Sequence, residues 1–408
     1  MKLLLVNYEY PPLGGGAGNA TMNYAKAFAK MGHEVVVITS AIPKLGIKRT
    51  SMSTSLINSE AKQLTVYRIP AFRRHIHKSS PFQMLAFVIS SFFYCHSIIK
   101  THSIDKAIAF MSIPSGITTL FIKMFFKIPY VNFLGGGDVP GYQKDSDVFH
   151  KLIFPIRKAV LKNSLMNVAV SEGLAELSLK TDKYPTITIR TGVDVDFFSN
   201  PELFSPKNNT FTEHRTGNAD SPINFIFVGR FTFVKQVELI VEQYKKLLSD
   251  GYNASLTLVG DGPTFIKVKE LCEAGHNRKD HNQSGVSTIP NLIGWVDKTA
   301  LLNLYQKCDV MINASTAEGL SNALLEAMSC GLVVIASNVI GNRDLIINNE
   351  NGLLFDLTDP NGLYKAMKTL ANDRTLLNRL KKKSRELVLK EYTWEASAKR
   401  YIALLNNK

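Results

Sequence analysis

Short apolar runs recur along the chain, and between them apolar residues return every three or four positions. This alternation predicts strands joined by helices, the βαβ unit of a parallel sheet. In the first half the strand candidates are 3–7, 34–39, 64–68, 106–110, 130–133, 166–170 and 186–189, with a glycine loop and a helix over 18–31 after the first of them. Residues 200–222, rich in Asn, Pro, Ser, Thr and charge, break the pattern and predict an interdomain connection. The pattern then restarts, with strands at 223–228, 255–259, 310–313 and 333–336 and a helix over 236–248. The expected architecture is α/β: two Rossmann-like doubly wound parallel-sheet domains, 1–199 and 223–385, facing across a cleft, and a last helix over 386–408. Such sheets bind ligands at the carboxyl ends of their strands, so the active site is expected between the domains.

One stretch invites a membrane reading. Phe82 to Ile99 is largely apolar, but it contains Gln83, Ser90, Ser91, His96 and Ser97 and falls short of the roughly 20 residues that a span requires. Leu85, Val88, Ile89, Phe92 and Ile99 recur at helical spacing, which predicts a helix packed on the core through that face. A helix lying in a membrane interface is the alternative. The run Arg73-Arg74-His75-Ile76-His77-Lys78 before it and Phe121-Ile122-Lys123-Met124-Phe125-Phe126-Lys127 after it keep that alternative open. A solvated loop and an ordinary amphipathic helix are the plainer readings of those two flanks.

Length and charge narrow the function classes. A chain of 408 residues exceeds the roughly 250 at which one core stops growing, in keeping with two domains. With 45% hydrophobic and 20% charged residues it is neither disordered nor fibrous. Its 48 Lys and Arg against 34 Asp and Glu give a net charge of +14, and residues 1–200 hold 23 of those cations but only 12 of the anions. That balance favours an anionic partner: nucleic acid, an anionic membrane surface or a phosphorylated small molecule. Cys95, Cys272, Cys308 and Cys330 have no paired or zinc-type spacing, which suggests neither a disulfide framework nor a structural metal and fits a reducing cytosol. The apolar opening Met1–Val6 is ended by Asn7, Tyr8, Glu9 and Pro11, too soon for a signal sequence, and reads as a buried first strand.

Four places carry candidate chemistry. The loop Pro11-Pro12-Leu13-Gly14-Gly15-Gly16-Ala17-Gly18 joins a strand to a helix, where missing side chains let backbone amides approach an anion. Its spacing fails the dinucleotide fingerprint, and a tight turn is the alternative. Gly229-Arg230 ends a strand and Lys235 follows at the start of a helix, so a planar guanidinium fork and a compact ammonium can converge on a diphosphate. Gly260-Asp261-Gly262-Pro263 follows another strand and is explained as well by turning as by ligand contact. Finally, Glu318-Gly319-Leu320-Ser321-Asn322-Ala323-Leu324-Leu325-Glu326 brackets a helix start at which Ser321 is the N-cap candidate and the amides of 320–322 point outward. Two acids, two cations and an anion-binding helix end together describe a nucleotide-sugar pocket, although each acid alone reads equally as a solvated surface group. Asp194-Val195-Asp196 spells a metal-binding pattern, yet capping of a short turn explains it more simply.

These motifs resemble those of the group 1 (family 4) retaining glycosyltransferases of the GT-B fold. The similarity runs from Pro11–Gly18 and Gly32-His33-Glu34-Val35 to Tyr392-Thr393-Trp394, and Glu318 through Glu326 to Gly331 matches the family's Glu-x7-Glu motif in register. It implies that residues 1–199 bind the acceptor and 223–385 the donor. Arg230 and Lys235 would neutralise the diphosphate, Glu326 would take the ribose hydroxyls, and Glu318 with Gly319, Leu320 and Ser321 would hold the transferred sugar. Gly15, Gly16, Gly229, Gly260 and Gly262 complete the implied donor site. No metal or other cofactor is expected, and the last helix is expected to cross back onto the first domain. Two departures stand out. Leu134-Gly135-Gly136-Gly137-Asp138 replaces a histidine found in many relatives, which makes Asp138 an acceptor-side candidate, and Leu332 stands where proline is common.

The resulting expectation is a cytoplasmic enzyme that moves a sugar from a nucleotide-diphosphate sugar, with retention, to a glycan or lipid-linked acceptor, a polysaccharide or glycolipid precursor. The surplus charge of the first half, around 73–78 and 123–127, is expected to dock it peripherally on the anionic inner face of the plasma membrane. A non-catalytic nucleotide-sugar or anion-binding protein is the alternative. No nucleic-acid module is visible, and the failed glycine fingerprint argues against an oxidoreductase. Donor base, sugar and linkage are not encoded in any motif found.

Overall fold

The computed structural model describes residues 1–13, 15–42, 64–73, 75, 79–142, 147–204, 221–274 and 289–407, with the backbone alone at 147–152. Gly14, Arg74, Ile76–Lys78 and most of the expected connection at 200–222 lie outside the described residues. The chain divides into two compact units, Met1–Gly192 with Trp394–Lys408, and Val193–Thr393. The division thus falls at 192/193 rather than at the composition break, and the carboxyl-terminal segment of the first unit begins at Trp394 rather than 386. Residues 374–391 form a separate helix, Arg374–Glu391, that belongs to the second unit.

In the first unit, β1 (Lys2–Val6), β2 (Glu34–Ser40), β3 (Leu64–Ile69), β4 (Lys106–Phe110), β5 (Tyr130–Leu134), β6 (Met166–Ala169) and β7 (Thr186–Thr188) form one parallel sheet in the order β3-β2-β1-β4-β5-β6-β7. Leu3, Leu4, Leu5 and Val6 are wholly buried, as a central strand covered on both faces requires. The terminal helix Trp394–Asn406 is held by an aromatic cluster centred on Tyr24 of the helix Gly16–Lys30. The ring of Tyr24 lies 5.1 Å from Trp394 and 5.0 Å from Tyr401, both edge to face, and its hydroxyl is 2.6 Å from Ser397 Oγ.

In the second unit, β8 (Ile223–Val228), β9 (Ala254–Val259), β10 (Asn291–Ile293), β11 (Val310–Asn313), β12 (Val333–Ser337) and β13 (Gly352–Phe355) form a second parallel sheet in the order β10-β9-β8-β11-β12-β13. Neither β10 nor β13 is predicted from the apolar pattern. They have three and four residues, too few to show a period, and they take their strand geometry from pairing with β9 and β12.

The helix at 82–99 extends over Pro81–His102 and opens with a capping box, in which the Gln83 amide donates to Ser80 Oγ and the Ser80 amide to Gln83 Oε1. Its buried face is not the one expected. Val88 and Ile99 face the core together with Phe87, Cys95 and Ile98, whereas Leu85, Ile89 and Phe92 are exposed. Because the helix is apolar on all sides, periodicity cannot choose which side meets the sheet.

Candidate active site

Strand order reverses between β8 and β11, and such a switch point opens a crevice at the carboxyl ends of the strands. The loop after β8 carries Gly229, Arg230 and, in a short 3-10 turn over Phe233–Lys235, Lys235. The loop after β11 carries Glu318. The two loops meet there: Lys235 Nζ donates to Glu318 Oε1. The same oxygen accepts from Asn313 Nδ2 at 3.0 Å and Ser315 Oγ at 2.9 Å, and Glu318 is buried. Arg230 stands exposed on the same loop, with no side-chain partner among the described residues. One carboxylate is therefore fixed by three donors, and an exposed guanidinium stands on the same loop as its lysine partner.

Ser321 occupies the N-cap of the helix Asn322–Ser329, but among the described residues no side-chain capping hydrogen bond is made there. The expected orientation of the amides near Leu320 and Ser321 is thus compatible with an anion at the helix end. Gly319 is buried beneath Gly341, whose amide donates to the Glu318 carbonyl at 3.0 Å; a Cβ at 341 would overlap the carbonyl oxygen of Gly319. Glu326, one turn into the helix, accepts from Tyr305 Oη at 3.4 Å. Burial raises its carboxyl to about 7, against the opposing pull of Lys298 and the Tyr305 hydrogen bond.

Gly260 and Gly262 are explained by backbone packing. Gly260 has φ 137°, and a Cβ there would overlap the Gly229 carbonyl oxygen, while one at 262 would overlap that of Phe231. The turn thereby holds the backbone of the Arg230 loop in place. Beside it, Trp295 follows β10 and is 83% exposed, an indole face standing at the carboxyl edge of the sheet.

The glycine loop and Asp138 belong to the first unit. Gly15 and Gly16 are exposed at the start of the helix Gly16–Lys30, whose first turn has no side-chain cap, and the Gly15 amide donates to Glu9 Oε2 at 3.3 Å. Asp138 is buried, and its carboxylate accepts from the amides of Ser112, at 3.1 and 3.2 Å, and Gly135, at 3.4 Å. Its oxygens thus serve local backbone, and burial raises its pKa to about 7 against the attraction of Arg157 and those amides. Asp194 Oδ1 accepts from the Phe197 amide at 3.1 Å, which gives it the turn-capping role. Among the described residues no group of three His, Cys, Asp or Glu could hold a metal ion.

Asn313, Ser315, Tyr305, Trp295 and Gly341 are not picked out by the motifs. Asn313 and Ser315 do leave a trace, two polar residues ending an apolar strand just before Glu318, whereas Gly341 has no local signal because its partner is 22 residues away.

Residues 209–387 match the family of glycosyl transferases group 1, and residues 14–197 match glycosyltransferase family 4. The chain belongs to the group 1, family 4 glycosyltransferases. This glycosyltransferase is 24% identical over 403 residues to N-acetyl-alpha-D-glucosaminyl L-malate synthase of Bacillus anthracis, covering 98% of this chain and 96% of that one. It is 21% identical over 392 residues to the capsular polysaccharide biosynthesis glycosyltransferase CapM of Staphylococcus aureus, covering 91% and 96%. Among solved structures, Anabaena HepE in complex with UDP-glucose superposes with a TM-score of 0.69 at 15% identity, over the whole of both chains. The glycosyltransferase thus has the GT-B fold, with two parallel-sheet α/β domains.

Proposed function

We propose that this glycosyltransferase moves a sugar from a nucleoside-diphosphate sugar to a polysaccharide or lipid-linked precursor at the cytoplasmic face of a membrane, with retention of anomeric configuration. The observation that carries the donor half is the meeting of Lys235 and Glu318 at the switch point, with Arg230 exposed on the same loop as Lys235. Arg230 and Lys235 neutralise the leaving diphosphate, Glu318 and the uncapped helix end hold the sugar, Glu326 accepts the ribose hydroxyls, and Trp295 offers its face to the base. The UDP-glucose bound by HepE and the capsular role of CapM support the donor and acceptor classes.

The transfer breaks the bond from the anomeric carbon to the diphosphate oxygen and forms the bond to the acceptor oxygen on the same face. The acceptor's proton passes to the departing phosphate oxygen. The protein's part is to orient the reactants and stabilise leaving-group charge, with no metal called for. The test is a thermal-shift screen of UDP, GDP and ADP sugars, followed by NMR of the product's anomeric centre. Donor binding and retained configuration are expected. Failure to bind or consume any nucleotide sugar overturns the reading, and binding without turnover would favour a non-catalytic binding protein.

A further inference from the structure

Two helices of the first unit leave an apolar ridge uncovered. Leu85, Ile89, Phe92 and Phe93 fall on one side of Pro81–His102, opposite the core-facing Phe87 and Cys95, and Phe93 is 79% exposed. The ridge continues onto the helix Ile117–Phe126, because Phe92 stacks on Phe121 with ring centroids 4.3 Å apart and Phe121 lies 4.5 Å from Phe125. Phe125 is 68% exposed, and Met124 beside it is exposed too. Apolar side chains joined across two helices differ from the scattered exposure of ordinary surfaces.

Pro81–His102 is long and apolar enough to cross a membrane. Phe87 and Cys95 are nevertheless wholly buried against the sheet, so crossing would strip part of the core. The surrounding charge selects the partner. Neither helix contains an Asp or Glu, while Lys100 lies in the last turn of the first helix, Lys123 lies in the last turn of the second and Lys127 follows it. Aromatic and aliphatic groups rimmed by lysines suit the boundary between acyl chains and anionic headgroups.

We propose that this ridge docks the first unit on an anionic bilayer surface, with Leu85, Phe93 and Phe125 entering the headgroup boundary and Lys100 and Lys127 contacting lipid phosphates. The inference rests on the acceptor reading above for what the docked face delivers. Donor consumption in solution tests that reading separately and does not require vesicles.

The experiment is vesicle flotation with phosphatidylcholine alone and with about one-third phosphatidylglycerol, at low and high salt. The wild type is expected on the mixed vesicles, with binding weakened by salt. Phe93→Ser/Phe125→Ser is expected to lose at least about tenfold in partitioning while keeping the wild-type melting temperature, since both side chains are exposed. Lys100→Ser/Lys127→Ser is expected to reduce the preference for anionic lipid. A wild type that stays unbound, or a Phe variant that binds as well as the wild type, overturns the proposal. So does a wild-type dimer that the Phe substitutions convert to monomer, because the ridge would then be covered by a second copy.

Discussion

Lys235 and Glu318, 83 residues apart, form an ion pair at the point where the order of the second sheet reverses. Glu318 Oε1 collects three donors, from Lys235, Asn313 and Ser315, which leaves Oε2 without a donor among the described residues. The pairing fixes the carboxylate before any ligand arrives, and the remaining N–H groups of the ammonium can still turn to phosphate. Lys235→Ala removes the proposed leaving-group neutralisation and strands a buried carboxylate. We expect kcat/KM to fall about 10²–10³-fold, together with a lower urea midpoint. Glu318→Gln is expected to cost transfer at nearly unchanged stability, because its amide oxygen can still accept from Asn313 and Ser315. A double variant whose losses simply add would show that the two residues act independently.

In the proposed donor site, Glu326 gives the pH dependence of donor binding. Its carboxyl is raised to about 7, chiefly by burial, and in the proposed site the ionised form, with two acceptor oxygens, is the one that takes both ribose hydroxyls. The ionised fraction grows as pH rises through 7, so the donor KM of the wild type should fall between pH 6 and pH 8. Glu326→Gln should flatten that part of the profile at a raised KM. Initial rates across the range, at saturating acceptor, decide the matter, and a profile shared by both proteins would remove Glu326 from the ribose.

Trp295 tests the position of the base. If its exposed indole stacks on the nucleotide, Trp295→Ala loses about 1–3 kcal/mol of binding. The donor KM then rises roughly fivefold or more, with kcat little changed. The same variant's affinity for the free nucleoside diphosphate, measured by calorimetry, should fall in parallel.

The legible parts of the molecule were those in which a local pattern states its own purpose. Leu3–Val6 and Ile223–Val228 are apolar runs that only a buried strand accommodates, and Glu318 and Glu326 stand at a spacing that brackets one helix start. What stayed hidden depends on distant partners. Gly352–Phe355 is a strand because β12 lies beside it, and Leu85 is exposed because Phe87 faces the sheet instead. Asp138 reads from the sequence as an acceptor-side candidate, and only the fold shows the Ser112 amide reaching its carboxylate from 26 residues away.

Gly341 is expected to shape the site without any side chain to offer. Its missing Cβ lets the backbone lie against the Glu318 and Gly319 carbonyls, and its amide holds the former. Gly341→Ala should displace the Glu318–Gly319 segment and lower kcat/KM by about 10²-fold, the scale expected for misplacement of about 1 Å. Gly341→Ser should do the same, since the collision comes from Cβ itself. Normal kinetics in both variants would show that the segment tolerates movement.

Asp138 should be visible in the pH dependence of stability. Burial raises its pKa from an ordinary 3.8 to about 7, so between those values the folded protein keeps a proton that the unfolded chain has released. The unfolded state therefore binds fewer protons in that window, and this residue's contribution to stability declines as pH rises from about 4 to 7 and levels off above. Asp138→Asn removes the titration while keeping one oxygen for the Ser112 amide. Near pH 4 the variant and wild type should have similar denaturant midpoints, and the variant should gain steadily on the wild type up to about pH 7 and keep that gain at pH 8. Other titrating groups cancel in that difference, because they are common to both proteins. A difference that stays constant from pH 5 to pH 8 would mean that the carboxyl is already ionised throughout, held by the amides of Ser112 and Gly135 and the nearby Arg157 strongly enough to offset its burial.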